Sequence, residues 1–177
     1  MSQTKVERLF IADKTSLMID TFRITSSYAT SGTDSEDFLT ANWAQVNSDG
    51  FGTASGQGTG MAQSSGVFTF PTTGVYRVTF ETFGYAGNGV DNRYVVVAIY
   101  STLDNSSYDV AALAYGHITE TRNDNTYVNL STQHFFDCTN TTTHKVKFQV
   151  RSDQVVTFAG ASGISYTYAT FERISDT

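Results

Sequence analysis

Gly66-Val67-Phe68-Thr69-Phe70-Pro71-Thr72-Thr73-Gly74-Val75-Tyr76-Arg77-Val78-Thr79-Phe80 holds the decisive pattern of this chain. Pro71 to Gly74 has the composition of a turn, since proline presets one backbone angle and glycine frees another. From Val75 to Thr82 apolar and polar residues alternate. That alternation puts Tyr76, Val78 and Phe80 on one side of a strand and Arg77, Thr79 and Glu81 on the other. Lys145-Val146-Lys147-Phe148-Gln149-Val150-Arg151 repeats the pattern, with Val146, Phe148 and Val150 inward. Each segment predicts a strand with one wet face.

The rest of the chain agrees. It has 177 residues, among them 13 Phe and 10 Tyr, and such side chains suit a pleated, half-buried surface. Charged residues make up 16%, against about 25% in a typical soluble domain. The polarity comes from Thr, Ser, Asn and Gln. A net charge of −6, with no cluster of Lys and Arg beyond Lys145, Lys147 and Arg151, predicts no nucleic-acid partner. No apolar run reaches the roughly 20 residues of a membrane span. The first 18 residues lack the apolar core of a secretory signal, so the expectation is a protein assembled inside a cell.

Only Ser35 to Val46 predicts a helix, one or two turns opened by Ser35, Glu36 and Asp37 before Phe38, Leu39 and Trp43. Ser48 to Ser65 is Gly-rich and predicts a long surface loop; its glycines carry neither the lysine nor the helix of a phosphate-binding loop. Two segments are apolar on both faces. Tyr94 to Tyr100 is one, and Ile164 to Phe171 is the other, with Ile164, Tyr166 and Tyr168 on one face and Phe171 on the other. A sandwich buries only one face of a strand, so the second face needs a neighbouring subunit or a long loop. The subunit reading makes Tyr94, Val96, Tyr166 and Tyr168 interface residues.

Catalytic chemistry has little to stand on. Cys138, the single cysteine, has His134 on the same strand face, but a small buried hydrophobe is the plainer reading. His117, His134 and His144 lack zinc spacing, and no G-x-S-x-G is present. Asp91, Asp104 and Asp124, each beside an asparagine, offer hard oxygen donors for calcium, yet such residues also shape turns unaided. The reading assigns no enzyme activity, no metal and no cofactor.

The Phe68 to Phe80 segment resembles the signature of the complement globular-head and tumour-necrosis-factor-like family: an aromatic, five residues, then G-x-Y-x-F-x-[FY]. Phe68, Gly74, Tyr76 and Phe80 match, and Val78 replaces an aromatic. Thr21-Phe22-Arg23-Ile24 sits where the family's first strand begins. Tyr168-Ala169-Thr170-Phe171 sits where its last strand runs, with Thr170 in place of a glycine. The resemblance implies an all-β, ten-stranded jelly-roll sandwich over residues 20–177, a compact homotrimer with Tyr168 near its three-fold axis, and binding rather than catalysis. SSGVFTFPTTGVYRVTFE (residues 64–81) and DNSSY (104–108) are similar to structural proteins of marine bacteriophages. That likeness implies a non-enzymatic virion protein, assembled in the host bacterial cytoplasm, serving as a capsid decoration or a head or tail fibre component. The alternative is the tip of a fibre that grips a host glycan or protein, with Phe51, Tyr85 and Tyr108 as recognition residues. Residues 1–19 are then an arm attaching the trimer to capsid or tail, because Leu9, Phe10, Ile11, Leu17, Met18 and Ile19 are too apolar for a disordered tail.

Overall fold

The computed structural model describes residues 18–46, 60–121 and 123–177. Among them are thirteen strands and no helix. The strands are β1 (Met18–Ile24), β2 (Ser26–Ala29), β3 (Asp37–Phe38), β4 (Trp43–Gln45), β5 (Ala62–Ser64), β6 (Val67–Thr69) and β7 (Gly74–Ala86). They continue with β8 (Asn92–Thr102), β9 (Asp109–Ile118), β10 (Thr126–Cys138), β11 (Lys145–Ser152), β12 (Thr157–Ala161) and β13 (Tyr168–Ser175). The excess over ten lies in short pieces such as β3, which has two residues.

These strands form two antiparallel sheets. Sheet A runs β2-β12-β7-β13-β1-β4, with β10 along the other edge of β7; sheet B runs β5-β6-β11-β8-β9, with β3 on β11. The first described strand therefore pairs with the last, from Met18 opposite Arg173 to Arg23 opposite Tyr168. Met18 and Ile19, assigned to the arm, belong to this strand. The rest of the arm and Phe51 lie outside the described residues, as does most of the Gly-rich loop.

The six residues expected in the core, Tyr76, Phe80, Val146, Phe148, Val150 and Phe171, are all fully buried. Aromatic rings tie the sheets together. Phe148 of sheet B lies 4.7 Å from Phe80 of sheet A, and Phe68 lies 5.2 Å from Phe22 and 5.1 Å from Phe171. Such pairs add about 0.5–1.5 kcal/mol each beyond the area they bury.

The helix predicted over Ser35 to Val46 is absent. β3 and β4 occupy that stretch, and Asn42 between them has a left-handed φ of 63°, which breaks any helical turn. Trp43 instead enters the core, its indole Nε1 donating to the Leu39 carbonyl at 2.7 Å. Ile164 to Thr167 likewise stay outside any strand, and the last strand starts at Tyr168.

β5 and β6 are joined through Ser65 and Gly66, with φ of 50° and 75°. Two successive positive φ angles make the tight hairpin turn that matches strand twist. A Cβ at Gly66 would stand 2.2 Å from the Leu39 carbonyl oxygen. Gly66→Ala is therefore expected to destabilise the protein by about 1–3 kcal/mol. Gly87→Ala, where a Cβ meets nothing within 4 Å, should change little. Denaturant unfolding of both variants checks this, and equal losses would contradict it.

Candidate functional site

The strict alternation of β7 sends Tyr76, Val78, Phe80 and Thr82 into the core and Arg77, Thr79, Glu81, Phe83 and Tyr85 to the outer face of sheet A. β10 pairs with β7 without a break from Thr126 opposite Ala86 to Cys138 opposite Gly74. It adds Tyr127, Asn129, Ser131, Gln133 and Phe135 to the same face. β13, on the other side of β7, adds Tyr168, Thr170 and Glu172.

The chemistry of this face changes along the strands. Its centre is a polar depression of about 760 Å³, lined among others by Arg77, Glu81, Gln133, Tyr168 and Glu172. The Tyr168 hydroxyl donates to Glu81 Oε2 at 2.5 Å, and Arg77 pairs with Glu172. Burial, with the Glu81 carboxylate second, pushes the Tyr168 phenol up to about 12. One end is aromatic: Phe83 stacks on Tyr127 at 5.5 Å and meets Tyr166 at the same distance. Tyr127 there is 58% exposed, and Phe135, opposite Arg77 toward the other end of the strands, is 55% exposed. The charged groups at the centre are paired, Glu81 with Tyr168 and Arg77 with Glu172, and the rings at the aromatic end are not covered. Such a face suits contact with another surface.

Of the residues picked from sequence, Tyr166 and Tyr168 come together here, lining one smaller depression beside the first. Tyr85 stands next to Tyr127. Tyr94 and Val96 do not join them, because both lie on β8 in sheet B. Val96 is only 2% exposed; the cover expected from a neighbouring subunit comes from its own chain. Tyr108 also packs on its own chain, 4.3 Å from Lys147 Nζ. Sequence reasoning missed Arg77, Glu81, Phe83, Tyr127 and Phe135 as one surface. The available signal was Thr126 to Cys138 itself, an aromatic-bearing strand with no Lys or Arg.

The other sites weighed from sequence are used internally. Asp91 accepts from the Glu120 amide at 2.6 Å. Asp104 Oδ1 accepts from the Ser106 and Ser107 amides, each at 2.8 Å, holding its carboxyl well below the usual range. Among the described residues no three His, Cys, Asp or Glu side chains gather to hold a metal. Cys138 is fully buried, and burial raises its thiol. It should therefore resist thiol reagents at neutral pH until the protein unfolds; rapid labelling of native protein would contradict this placement.

No protein-family model matches this sequence, and no curated protein matches it. Solved structures do resemble the fold. Murine APRIL, crystallised at pH 5.0, superposes with a TM-score of 0.58 at 10% identity, over 89% of this chain and 99% of that one. Eiger TNF from S. frugiperda gives 0.63 at 10% identity, over 91% of this chain and 94% of that one. At such identity the likeness establishes the architecture alone, and that architecture is a tumour-necrosis-factor-like jelly roll.

Proposed function

We propose that this chain is a non-enzymatic structural protein of a bacteriophage particle, a capsid decoration or a head or tail fibre component, working as a homotrimer joined through the outer face of sheet A. The observation that carries the assembly is the uncovered ring cluster of Phe83, Tyr127 and Tyr166 beside the paired Glu81–Tyr168 and Arg77–Glu172. A contiguous exposed apolar patch on a soluble domain marks an interaction surface. The trimer follows the family that the Phe68–Phe80 motif resembles, and the virion setting follows the phage-like wording of residues 64–81 and 104–108. Static light scattering on purified protein tests the assembly. Three times the chain mass of 19.4 kDa is expected, and a folded monomer at micromolar concentration overturns it. Subunit-resolution imaging of an intact particle tests the setting.

A second reading, the tip of a fibre that grips a host glycan, has one observation in its favour. The exposed rings of Tyr127 and Tyr166 stand beside Glu81, Asn129 and Ser131, a combination of stacking planes and hydroxyl partners suited to sugars. Saccharide binding that Tyr127→Ala abolishes, with assembly intact, would favour it over the first.

A further inference from the structure

The outer face of sheet B offers a contrast with sheet A. On β8 it presents Val96, Ala98 and Tyr100, and on β9 it presents Leu113 and Tyr115, which lie opposite Ala98 and Val96. Leu113 and Tyr115 are 44% and 59% exposed, whereas the three β8 residues are buried. On the other side of β8 stands β11, with Lys147 opposite Tyr100 and Arg151 opposite Val96. Both cations are pinned on rings. Lys147 Nζ lies 3.7 Å from the Phe38 ring, 4.3 Å from Tyr108 and 5.8 Å from Tyr100. Arg151 sits over Tyr94 at 5.7 Å, with its Nε 3.3 Å from Asp34. Glu36 accepts from the Tyr100 hydroxyl at 2.8 Å, fixing that ring from the same loop as Asp34.

We infer that Lys147 and Arg151 are gatekeepers, which keep sheet B from becoming a second assembly face. Long basic side chains lay their stems over apolar surface and hold their charges in water. Here they flank the apolar β8 row on its β11 side, with Gln149 opposite Ala98 between them. They lie over the rings of Phe38, Tyr108, Tyr100 and Tyr94, so that the exposed apolar surface beside β8 is the strip on β9. A strip one strand wide falls well short of the roughly 800 Å² per partner of a stable interface. With sheet B closed in this way, association is directed to sheet A.

The test replaces both cations with an apolar chain of similar length, as Lys147→Met with Arg151→Met, and compares light scattering with the wild type. Arg93→Met is the control for loss of a cation alone, because Arg93 also lies over the Tyr94 ring, at 5.0 Å, but its side chain stays 77% exposed. The double variant should at least double the particle mass, the smallest step that joining two such faces can give, and the mass should climb with concentration. An unchanged mass overturns the inference, as does an equal rise in the Arg93 control. Arg151→Met alone carries the test should the double variant fail to fold. The direction toward sheet A rests on the proposed trimer, but the comparison does not. A monomeric wild type would sink that proposal and still leave the mass ratio to be read.

Discussion

Phe148→Ala is expected to lower the free energy of unfolding by about 3–5 kcal/mol, the largest loss from any single truncation considered. Its ring meets Trp43 at 5.5 Å, Phe68 at 5.3 Å, Phe80 at 4.7 Å and Phe171 at 6.1 Å. Four neighbours from both sheets therefore line the cavity that the truncation leaves. Large aromatic rings from separate strands collapse poorly into such a space, so the cavity contribution adds to the lost transfer free energy. Denaturant unfolding should be run at one fixed protein concentration, because association would otherwise shift the midpoint. A loss below about 1 kcal/mol would mean that the site relaxes freely and that this cluster is not the centre of the core.

Tyr168→Glu is expected to dissociate or misfold the proposed trimer. The phenol now donates to Glu81; the substitution removes that donor and sets a second carboxylate beside the first. Like charges about 4 Å apart repel by about 4 kcal/mol at an effective dielectric of 20, and a symmetric interface multiplies the effect by its copies. Light scattering reads the result, and Tyr168→Phe, which adds no charge, should do much less. An intact trimer in Tyr168→Glu would remove this residue from the interface. The phenol also gives a pH signature. Its folded value, about 12, lies above the ordinary 10.0, so the stabilisation is complete below pH 10 and is lost as pH rises toward 12.

The strands of the core were legible because their faces differ. Val75 to Thr82 and Lys145 to Arg151 alternate, and alternation fixes which side chains turn inward without knowledge of their partners. Ser35 to Val46 misled because Ser, Glu and Asp before Phe38 and Leu39 satisfy the rules for opening a helix. Partners over a hundred residues away decide otherwise: Phe38 pairs with Gln149, and the Leu39 amide donates to the Phe148 carbonyl. Tyr94 to Tyr100 showed that cover was needed but not its source. For its two tyrosines that source is the chain itself: Arg151 lies over Tyr94, and Lys147, Phe38 and Glu36 meet Tyr100, partners that no local pattern reveals. Tyr166 and Tyr168 pointed to the right face. Its other half, from Tyr127 to Phe135, shows in sequence as a strand with aromatics and no Lys or Arg, but only its register with β7 makes it part of one surface.

The pairing of β1 with β13 has a consequence for the order in which the protein is made. A ribosome adding about 5–20 residues per second releases Phe22 and Ile24 about seven to thirty seconds before their partners Ala169 and Thr167 exist. Once β4 has been made it can pair with one edge of that strand, while the β13 edge stays open until residue 168 onward is made. Until β13 has been made, a nascent chain therefore leaves that edge of β1 open. A chain cut short before β13 would yield an open sheet A rather than a slightly smaller domain, a natural substrate for chaperones and proteases.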